Sequence, residues 1–218
     1  ASILANKRRT NLNWQVSVAG VKSFMSSTSS TSYAAPEILS FIDNTNLSTR
    51  GGDIVTIVGK NFGPLTSSNI SASYGQISTA ARFTASKCNV TSENTKIRCF
   101  SSPGAGHDLA WSLQIVDQSI TPFNNYSTSY GKPYISGLVG DSNISMIGGD
   151  SVELSGHNFG PFAQGKWNIS ALYGYDASLL FYSATNCTVT VEHTRMVCQT
   201  ASILANKRRT NLNWQVSV

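Results

Sequence analysis

The sequence has few charged residues and no long apolar run. Asp, Glu, Lys and Arg make up 12% of the 218 residues, about half the usual share, and Ser, Thr and Asn take their place. No stretch approaches the roughly 18–20 consecutive apolar residues that a membrane-spanning helix needs, and no signal peptide is recognisable. Hydrophobic residues still account for 40% of the chain, so we expect it to bury cores and to place no membrane span in this segment.

Motifs that carry catalysis are also missing. The sequence contains no G-x-S-x-G, no P-loop and no H-E-x-x-H. Its three histidines, His107, His157 and His193, are far apart and do not have ligand spacing with the cysteines. The 11 Asp and Glu residues include no pair marked out for glycosidase chemistry. We therefore predict that the protein is not an enzyme and binds no metal or cofactor.

The net charge of +5 overstates the basic character of the chain. Residues 201–218 hold three of the 16 Lys and Arg residues and no acid, and they repeat residues 1–18. Counted once, a 200-residue period carries 13 basic and 11 acidic residues. So small an excess does not indicate a nucleic-acid partner.

The eighteen residues that open the chain also close it. The segment ASILANKRRTNLNWQVSV stands at 1–18 and again at 201–218, and chance cannot produce that identity. It indicates a 200-residue repeat, of which this sequence spans slightly more than one period. We expect both ends to cut through an array of repeats. The expected partners are adjacent copies of the same repeat, either along one chain or as neighbours in a symmetric filament.

Each 200-residue period contains two related units. GGDIVTIVGKNFGP at 51–64 matches GGDSVELSGHNFGP at 148–161, and NISASYG at 69–75 matches NISALYG at 168–174. Short runs rich in Val, Ile, Thr, Phe and Tyr recur between Gly, Pro, Asn and Ser, which is typical of β-strands. Val55 and Ile57 align with Val152 and Leu154. We predict that these four residues point inward in a two-sheet sandwich of about seven strands.

The order of these motifs resembles a known family of domains. A Pro is followed by GGD, an apolar strand and G-x-NFGP, then by C-x-x-x-P-G-x-G from Cys99 to Gly106 and a W-x-L-x-I strand. This pattern resembles the IPT/TIG family, strongly over 36–130 and more weakly over 133–218, where TASILANKRRTN replaces the Pro-Gly turn after Cys198. The resemblance implies an all-β chain of immunoglobulin-like β-sandwiches in tandem, head to tail, without catalytic activity.

The resemblance also implies domain boundaries. Residues 36–132 are the first domain. Residues 133–218 are a second domain lacking its last strand, whose counterpart is 19–33. Residues 1–35 are the C-terminal strands of a second-type domain from the preceding repeat. The short steps into Pro36 and Pro133 restrict the backbone, so we expect successive sandwiches to stack end to end with little freedom.

The cysteines are even in number and regularly placed. Each unit has two cysteines eleven positions apart, which favours the in-domain disulfides Cys88–Cys99 and Cys187–Cys198. The alternative is two buried free thiols in each unit.

The densest motif in the chain is N-x-S/T, the acceptor for N-linked glycans. It occurs seven times, and we expect covalent glycans in loops or at outward strand positions. The alternative is that the motif reflects only the abundance of Asn and Ser. The predicted acceptors are Asn46, Asn69, Asn89, Asn125, Asn143, Asn168 and Asn186.

Two polar segments have competing interpretations. SFMSSTSSTSY at 23–33 could carry O-linked sugars, but a polar edge strand or loop is the favoured interpretation. NKRRTN at 6–11 could contact an acidic partner or an anionic glycan, whereas a solvated hairpin tip is favoured.

These observations predict a structural extracellular glycoprotein. In the leading hypothesis, the two-domain repeats stack end to end into a rigid, N-glycan-coated stalk or filament. The alternative is an adhesion or receptor ectodomain whose tandem repeats bind a protein or glycan ligand. A DNA-binding module of the same family conflicts with the glycan motifs, the disulfides and the low charge. We predict a secreted or cell-surface protein made by a eukaryotic secretory route.

Overall fold

The structure is a computed structural model that describes residues 7–42, 45–67, 69–76, 83–120, 127–140, 142–162, 168–175, 180–203 and 210–218. Every regular element in these ranges is a β-strand, and there are 17 of them. None of the described residues forms a helix long and apolar enough to span a bilayer. The chain divides into two compact units. Unit 1 comprises Ala1–Asn44, Ile54–Ser101 and Asp108–Thr128, and unit 2 comprises Thr45–Asp53, Ser102–His107 and Ser129–Val218.

Unit 1 contains two antiparallel sheets and a separate short hairpin. Its strands are β1 (Ser17–Val18), β2 (Val21–Lys22), β3 (Glu37–Ile42), β4 (Ile54–Lys60), β5 (Ile70–Gly75), β6 (Phe83–Thr84), β7 (Ser86–Ser92), β8 (Lys96–Phe100), β9 (Leu109–Ile115), β10 (Gln118–Ile120) and β11 (Ser127–Thr128). One sheet has the order β3-β4-β8-β7, and the other has the order β10-β9-β5-β6 with β11 also on β9. Strands β1 and β2 pair only with each other in the described part of the chain.

The core of unit 1 lies between its two sheets. Val55 and Ile57 alternate along β4 with half-buried residues, and both are fully buried. On β9, Trp111, Leu113 and Ile115 are buried in the same alternating way. The ring of Trp111 lies 5.6 Å from that of Phe41 on β3, which places apolar side chains of the two sheets in one core. Period-2 burial of this kind is the physical basis for predicting these strands from sequence.

Unit 2 forms one six-stranded antiparallel sheet that encloses its own core. Its strands are β12 (Tyr134–Val139), β13 (Ser151–His157), β14 (Ser170–Gly174), β15 (Leu180–Val191), β16 (Arg195–Gln199) and β17 (Asn213–Ser217). They are ordered β12-β13-β16-β15-β14-β17. The long strand β15 pairs with both β14 and β16. Val152 and Leu154 from one half share a buried cluster with Tyr173 and Val216 from the other.

The immunoglobulin-like, all-β prediction is confirmed by these sheets. The inward positions predicted from the aligned copies are also confirmed, because Val55, Ile57, Val152 and Leu154 are all fully buried. The domain boundaries at 1–35, 36–132 and 133–218 and the head-to-tail stacking stay predictions.

The two NFGP loops adopt the same local conformation. Asn61 and Asn158 have positive φ angles of 60° and 62°, a region that asparagine tolerates better than most residues. The side-chain amide of Asn61 donates to the Ala35 carbonyl at 2.9 Å, and that of Asn158 donates to the Lys132 carbonyl at 3.0 Å. Each NFGP loop is therefore hydrogen-bonded to the backbone shortly before a strand. Ala35 precedes β3, and Lys132 precedes β12.

Candidate functional site

The structure brings each predicted cysteine pair together. Cys88 on β7 is bonded to Cys99 on β8, and Cys187 on β15 is bonded to Cys198 on β16. Both bonds join neighbouring strands of one sheet, with Cα atoms 4.2 and 4.1 Å apart. All four cysteines are used. Paired cysteines of this kind are consistent with an oxidising compartment.

Six of the seven predicted glycan acceptors lie in the described part of the chain, and all six are exposed. Asn125 lies outside the described residues. The turns that precede the two GG pairs each present one acceptor, and the remaining four lie on strands or directly before them. The six exposed acceptors are Asn46, Asn69, Asn89, Asn143, Asn168 and Asn186.

Two acceptors next to cysteines differ in their surroundings. Asn89 is an exposed residue of β7 beside Cys88. Asn186 lies beside Cys187, and its side-chain amide donates to Gln199 Oε1 at 2.6 Å. The side-chain nitrogen of Asn186, which would carry the glycan, is therefore hydrogen-bonded to the neighbouring strand β16.

Residues 12–31 form a hairpin, here called the N-terminal hairpin, that repeats the geometry of β9 to β11. Leu12 pairs with Thr31 as Leu109 pairs with Thr128. The indole N–H of Trp14 donates to Thr31 Oγ1 at 3.0 Å, and that of Trp111 donates to Thr128 Oγ1 at 3.0 Å. At these two contacts the segment therefore matches the Trp strand of unit 1, although only Ser17–Val18 of residues 12–18 is regular strand.

Serine hydroxyls hold the middle of the N-terminal hairpin together. The backbone N–H of Trp14 donates to Ser26 Oγ at 2.8 Å, and that of Val16 donates to Ser23 Oγ at 3.0 Å. Beside the hairpin, the N–H of Asn11 donates to Ser32 Oγ at 3.0 Å. The Ser/Thr-rich segment 23–33 thus acts as the polar partner of a strand, which agrees with the interpretation favoured from its composition.

Arg9 contradicts the prediction that the basic cluster is a solvated tip. Its side chain is only 1% exposed. Its Nη1 donates to the carbonyl of Asn61 at 3.2 Å and its Nη2 to that of Phe62 at 3.1 Å. A Cβ at Gly63 would lie 2.4 Å from Nη2, so the glycine of this NFGP loop leaves room for the guanidinium. Burial lowers the pKa of Arg9, and the negative charge of Asp117 opposes that shift.

Asp117 completes the contact. It follows β9 and accepts hydrogen bonds from the backbone N–H groups of Arg9 at 2.9 Å and Thr10 at 3.1 Å, and from the Thr10 hydroxyl at 2.5 Å. Arg8 Nε lies 3.6 Å from the same carboxylate. The Thr10 hydroxyl and the two backbone donors lower the pKa of Asp117 to about 2 against a smaller opposing effect of desolvation. Residues 8–10 are therefore tied to two separate loops of unit 1.

A different contact occupies the equivalent turn of unit 2. His193, which aligns with Asn94, has a φ of 68° and is 8% exposed. Its Nδ1 shares a hydrogen bond of 2.9 Å with the hydroxyl of Thr49. Burial lowers the pKa of His193, the positive charge of Arg50 lowers it further, and Glu192 opposes both effects. The sequence reveals neither the Arg9 contact nor the His193 contact, because each depends on loops that are distant along the chain.

Two clefts line unit 2. The first runs along β17 and is bounded by Gly106, His107, Tyr134 and Ile135. The second is lined by apolar and aromatic residues such as Met146 and Trp214 and by uncharged polar residues such as Asn143 and Thr210, with no Asp, Glu, Lys, Arg or His of the described chain. Among the described residues, no group of three His, Cys, Asp or Glu side chains could hold a metal ion.

No family model matches this chain, and no curated protein matches it significantly. Among solved structures it is similar to the full extracellular region of Plexin A4, with 16% identity and a TM-score of 0.35 over 86% of this chain and 15% of that chain. It is also similar to FdeC, an Escherichia coli adhesin, with 15% identity and a TM-score of 0.34 over 88% of this chain and 66% of that chain. With TM-scores this low, the fold assignment rests on the strand pairings and cores described above.

Proposed function

We propose that the protein is a structural extracellular glycoprotein. Its immunoglobulin-like domains, of the IPT/TIG type, stack end to end in a 200-residue, two-domain repeat and form a rigid, N-glycan-coated stalk or filament. It is not an enzyme. The observation that carries the proposal is the identity of residues 1–18 with residues 201–218. Such identity is expected of a nearly uniform array and is not needed by a receptor whose domains have diverged.

The contacts of Arg9 support the rigidity of this array. Residues 1–35 are predicted to end the preceding domain, and Arg9 and Thr10 bind the NFGP loop of residues 61–64 and the Asp117 carboxylate. A buried guanidinium with two carbonyl partners and a nearby carboxylate resists loosening, because opening the contact exposes a costly set of polar groups.

Exposed apolar side chains at one turn of unit 2 support contact with an adjacent copy. Met146 and Ile147 align with Thr49 and Arg50, and both are largely exposed. Thr49 is buried against His193. In a stacked array, the turn of residues 145–148 would meet the next repeat in the same way that Thr49 meets His193, and its apolar side chains would be covered there.

The exposed acceptor asparagines support the glycan coat. Glycans on both units would shield outer strands such as β7 from pairing with other chains, and they would restrict access by proteases. Secretion or display at the cell surface follows from the same features, because N-linked glycans and disulfides are added in the secretory pathway. The eukaryotic origin of the protein stays a prediction.

Electron microscopy of the natural, purified protein tests the proposal. We expect filaments with an axial repeat of roughly 70–80 Å, or half of that, from strand lengths of about 3.3 Å per residue. Discrete globular ectodomains would favour the adhesion or receptor function instead. Intact-mass measurement before and after enzymatic deglycosylation tests the coat, and a protein without sugar on most of its acceptor asparagines would overturn that part.

A further inference from the structure

The sheet β3-β4-β8-β7 of unit 1 is basic. Its four strands contain four Lys and Arg residues and a single acid, Glu37, which lies 3.6 Å from Lys60. The other three cations, Lys87, Lys96 and Arg98, form no ion pair with a carboxylate of the described residues. Their charges are therefore not neutralised within the described part of the sheet.

Two of these cations flank an aromatic ring. Phe100 is half-buried on β8, two residues after Arg98, so both side chains lie on the outward face of the sheet. The guanidinium of Arg98 lies 5.3 Å from the centre of the Phe100 ring, and the ammonium of Lys87 lies 5.8 Å from it. Cations at these distances are attracted by the face of an aromatic ring. We call these three residues the Phe100 platform.

Asn89, one of the predicted glycan acceptors, lies next to the platform. It is exposed on β7, directly opposite Arg98 on β8. Residues opposite each other in an antiparallel pair project from the same face, with β carbons about 4.5–5.5 Å apart. Phe100 is the next outward residue along β8. The first sugars of a glycan on Asn89 would therefore start within reach of both Arg98 and the ring.

Unit 2 lacks this combination of residues. On its equivalent strands Thr188 takes the place of Asn89, and Gln199 takes the place of Phe100. Val197 stands where unit 1 has the guanidinium of the platform. The acceptor, the ring and the guanidinium thus occur together in unit 1 and are all replaced in unit 2, which links the acceptor to the platform.

We propose that the N-linked glycan of Asn89 lies on the Phe100 platform instead of extending into solvent. The inference deepens the proposed function, on which it rests, because it fixes the position of one glycan of the coat. The apolar C–H face of a sugar ring packs against Phe100 and excludes water from it. The N–H groups of Arg98 and Lys87 donate hydrogen bonds to the sugar oxygens. The glycan then covers the outer face of β7 and β8 once in every 200-residue repeat.

Release of sugar from the folded protein tests this contact. The 218-residue chain is secreted from a eukaryotic host with mannose-rich N-glycans and treated, without denaturant, with an endoglycosidase that cleaves between the first two sugars. Mass spectrometry of peptides gives the release rate at each acceptor. Release at Asn89 should be at least about tenfold faster in Phe100→Gln than in wild type, because cleavage of a shielded glycan core requires local opening. Release at Asn168 in unit 2 should stay unchanged, which excludes general unfolding.

Thr188→Asn is the matched control. It places the sequence N-V-T, which Asn89 begins in unit 1, at the equivalent position of unit 2, where the platform is absent. The substitution also removes the Asn186 acceptor motif, so no neighbouring glycan interferes. The new glycan should be released as fast as that of Asn89 in Phe100→Gln. Release as slow as at wild-type Asn89 would show that the strand position alone shields the sugar and would overturn the role of the platform.

Three other outcomes would overturn the contact. The first is equal release at Asn89 in wild type and in Phe100→Gln, and the second is an Asn89 that carries no sugar. The third is binding of the glycosylated chain to an immobilised acidic polysaccharide that is lost in Phe100→Gln, because the platform would then be open to another ligand. In each case the proposed coat stands if the other acceptors carry sugar. Absence of sugar from most acceptors would overturn the coat as well.

Discussion

Trp14 and Trp111 have nearly the same local structure and opposite environments. Each donates its indole N–H to a threonine hydroxyl 17 residues later, at 3.0 Å. Trp111 is 2% exposed, stacked on Tyr74 with ring centroids 4.4 Å apart, whereas Trp14 is 61% exposed. The comparison shows that a hairpin sequence can specify its own turns and cross-strand hydrogen bonds. Burial of its apolar face requires a partner sheet.

Replacing each tryptophan separately gives the largest expected effect. Trp111→Ala should reduce the free energy of unfolding of unit 1 by about 3–5 kcal/mol, because it removes a large side chain from a close-packed core. Trp14→Ala should cost no more than about 0.5 kcal/mol under dilute conditions, because an exposed side chain loses few contacts. Urea unfolding followed by circular dichroism measures both values. Equal losses would show that Trp14 is buried in solution and would break the comparison.

The contrast also marks how far the sequence predicts this fold. Alternating apolar residues in aligned copies identify Val55, Ile57, Val152 and Leu154 as inward, because a strand must place alternate side chains on opposite faces. The regular spacing of the cysteines favours the pairs Cys88–Cys99 and Cys187–Cys198 over free thiols, and the structure contains both bonds. The pattern W-x-V-x-V is identical at 14–18 and 214–218. No rule based on local sequence can therefore tell the exposed copy from the partly buried one.

The contacts of Arg9 and Arg8 provide a second comparison, between neighbouring residues of one basic cluster. Arg9→Met should lower the local stability of residues 9–33 by about 1–3 kcal/mol, because the carbonyls of Asn61 and Phe62 lose a charged donor. Arg8→Met is the matched control and should have little effect, because its side chain is 62% exposed. Amide hydrogen exchange at Thr31 and Tyr33 measures the local opening. Similar exchange rates in both variants would contradict a specific role for Arg9.

The exposed candidate sites were easier to predict than the contacts that join loops. An N-x-S/T motif is contiguous and favours the surface, and the six described acceptors are indeed exposed. The Arg9 and His193 contacts bring together residues 52 and 144 positions apart. A basic cluster is usually solvated, so its composition predicts exposure, and only the surrounding loops reveal that one of its members is buried.

The third comparison is between the equivalent turns at Asn94 and His193. Replacing His193 by Asn should have the smallest effect, a change in how stability depends on pH. Burial lowers the pKa of His193 below its unfolded value, so the unfolded chain binds more protons between the two values. The contribution of His193 to the free energy of unfolding is therefore complete above the pKa of a histidine in the unfolded chain, about 6.5. It is lost as the pH falls toward the lower pKa of His193 in the folded state. His193→Asn should remove this dependence, because asparagine does not titrate.

Asn94 shows why the substitution should be tolerated. It has a φ of 61°, close to the 68° of His193, and its Oδ1 accepts a hydrogen bond from the Gly63 N–H at 3.2 Å. An asparagine at 193 can make the same bond to Gly160, although it gives up the contact with Thr49. Between about pH 5 and 7.5, the urea concentration at the unfolding midpoint should change less with pH for His193→Asn than for wild type. His157→Asn replaces an exposed histidine and should keep the wild-type change of the urea midpoint with pH. A smaller change in this control would show that the pH dependence does not come from His193.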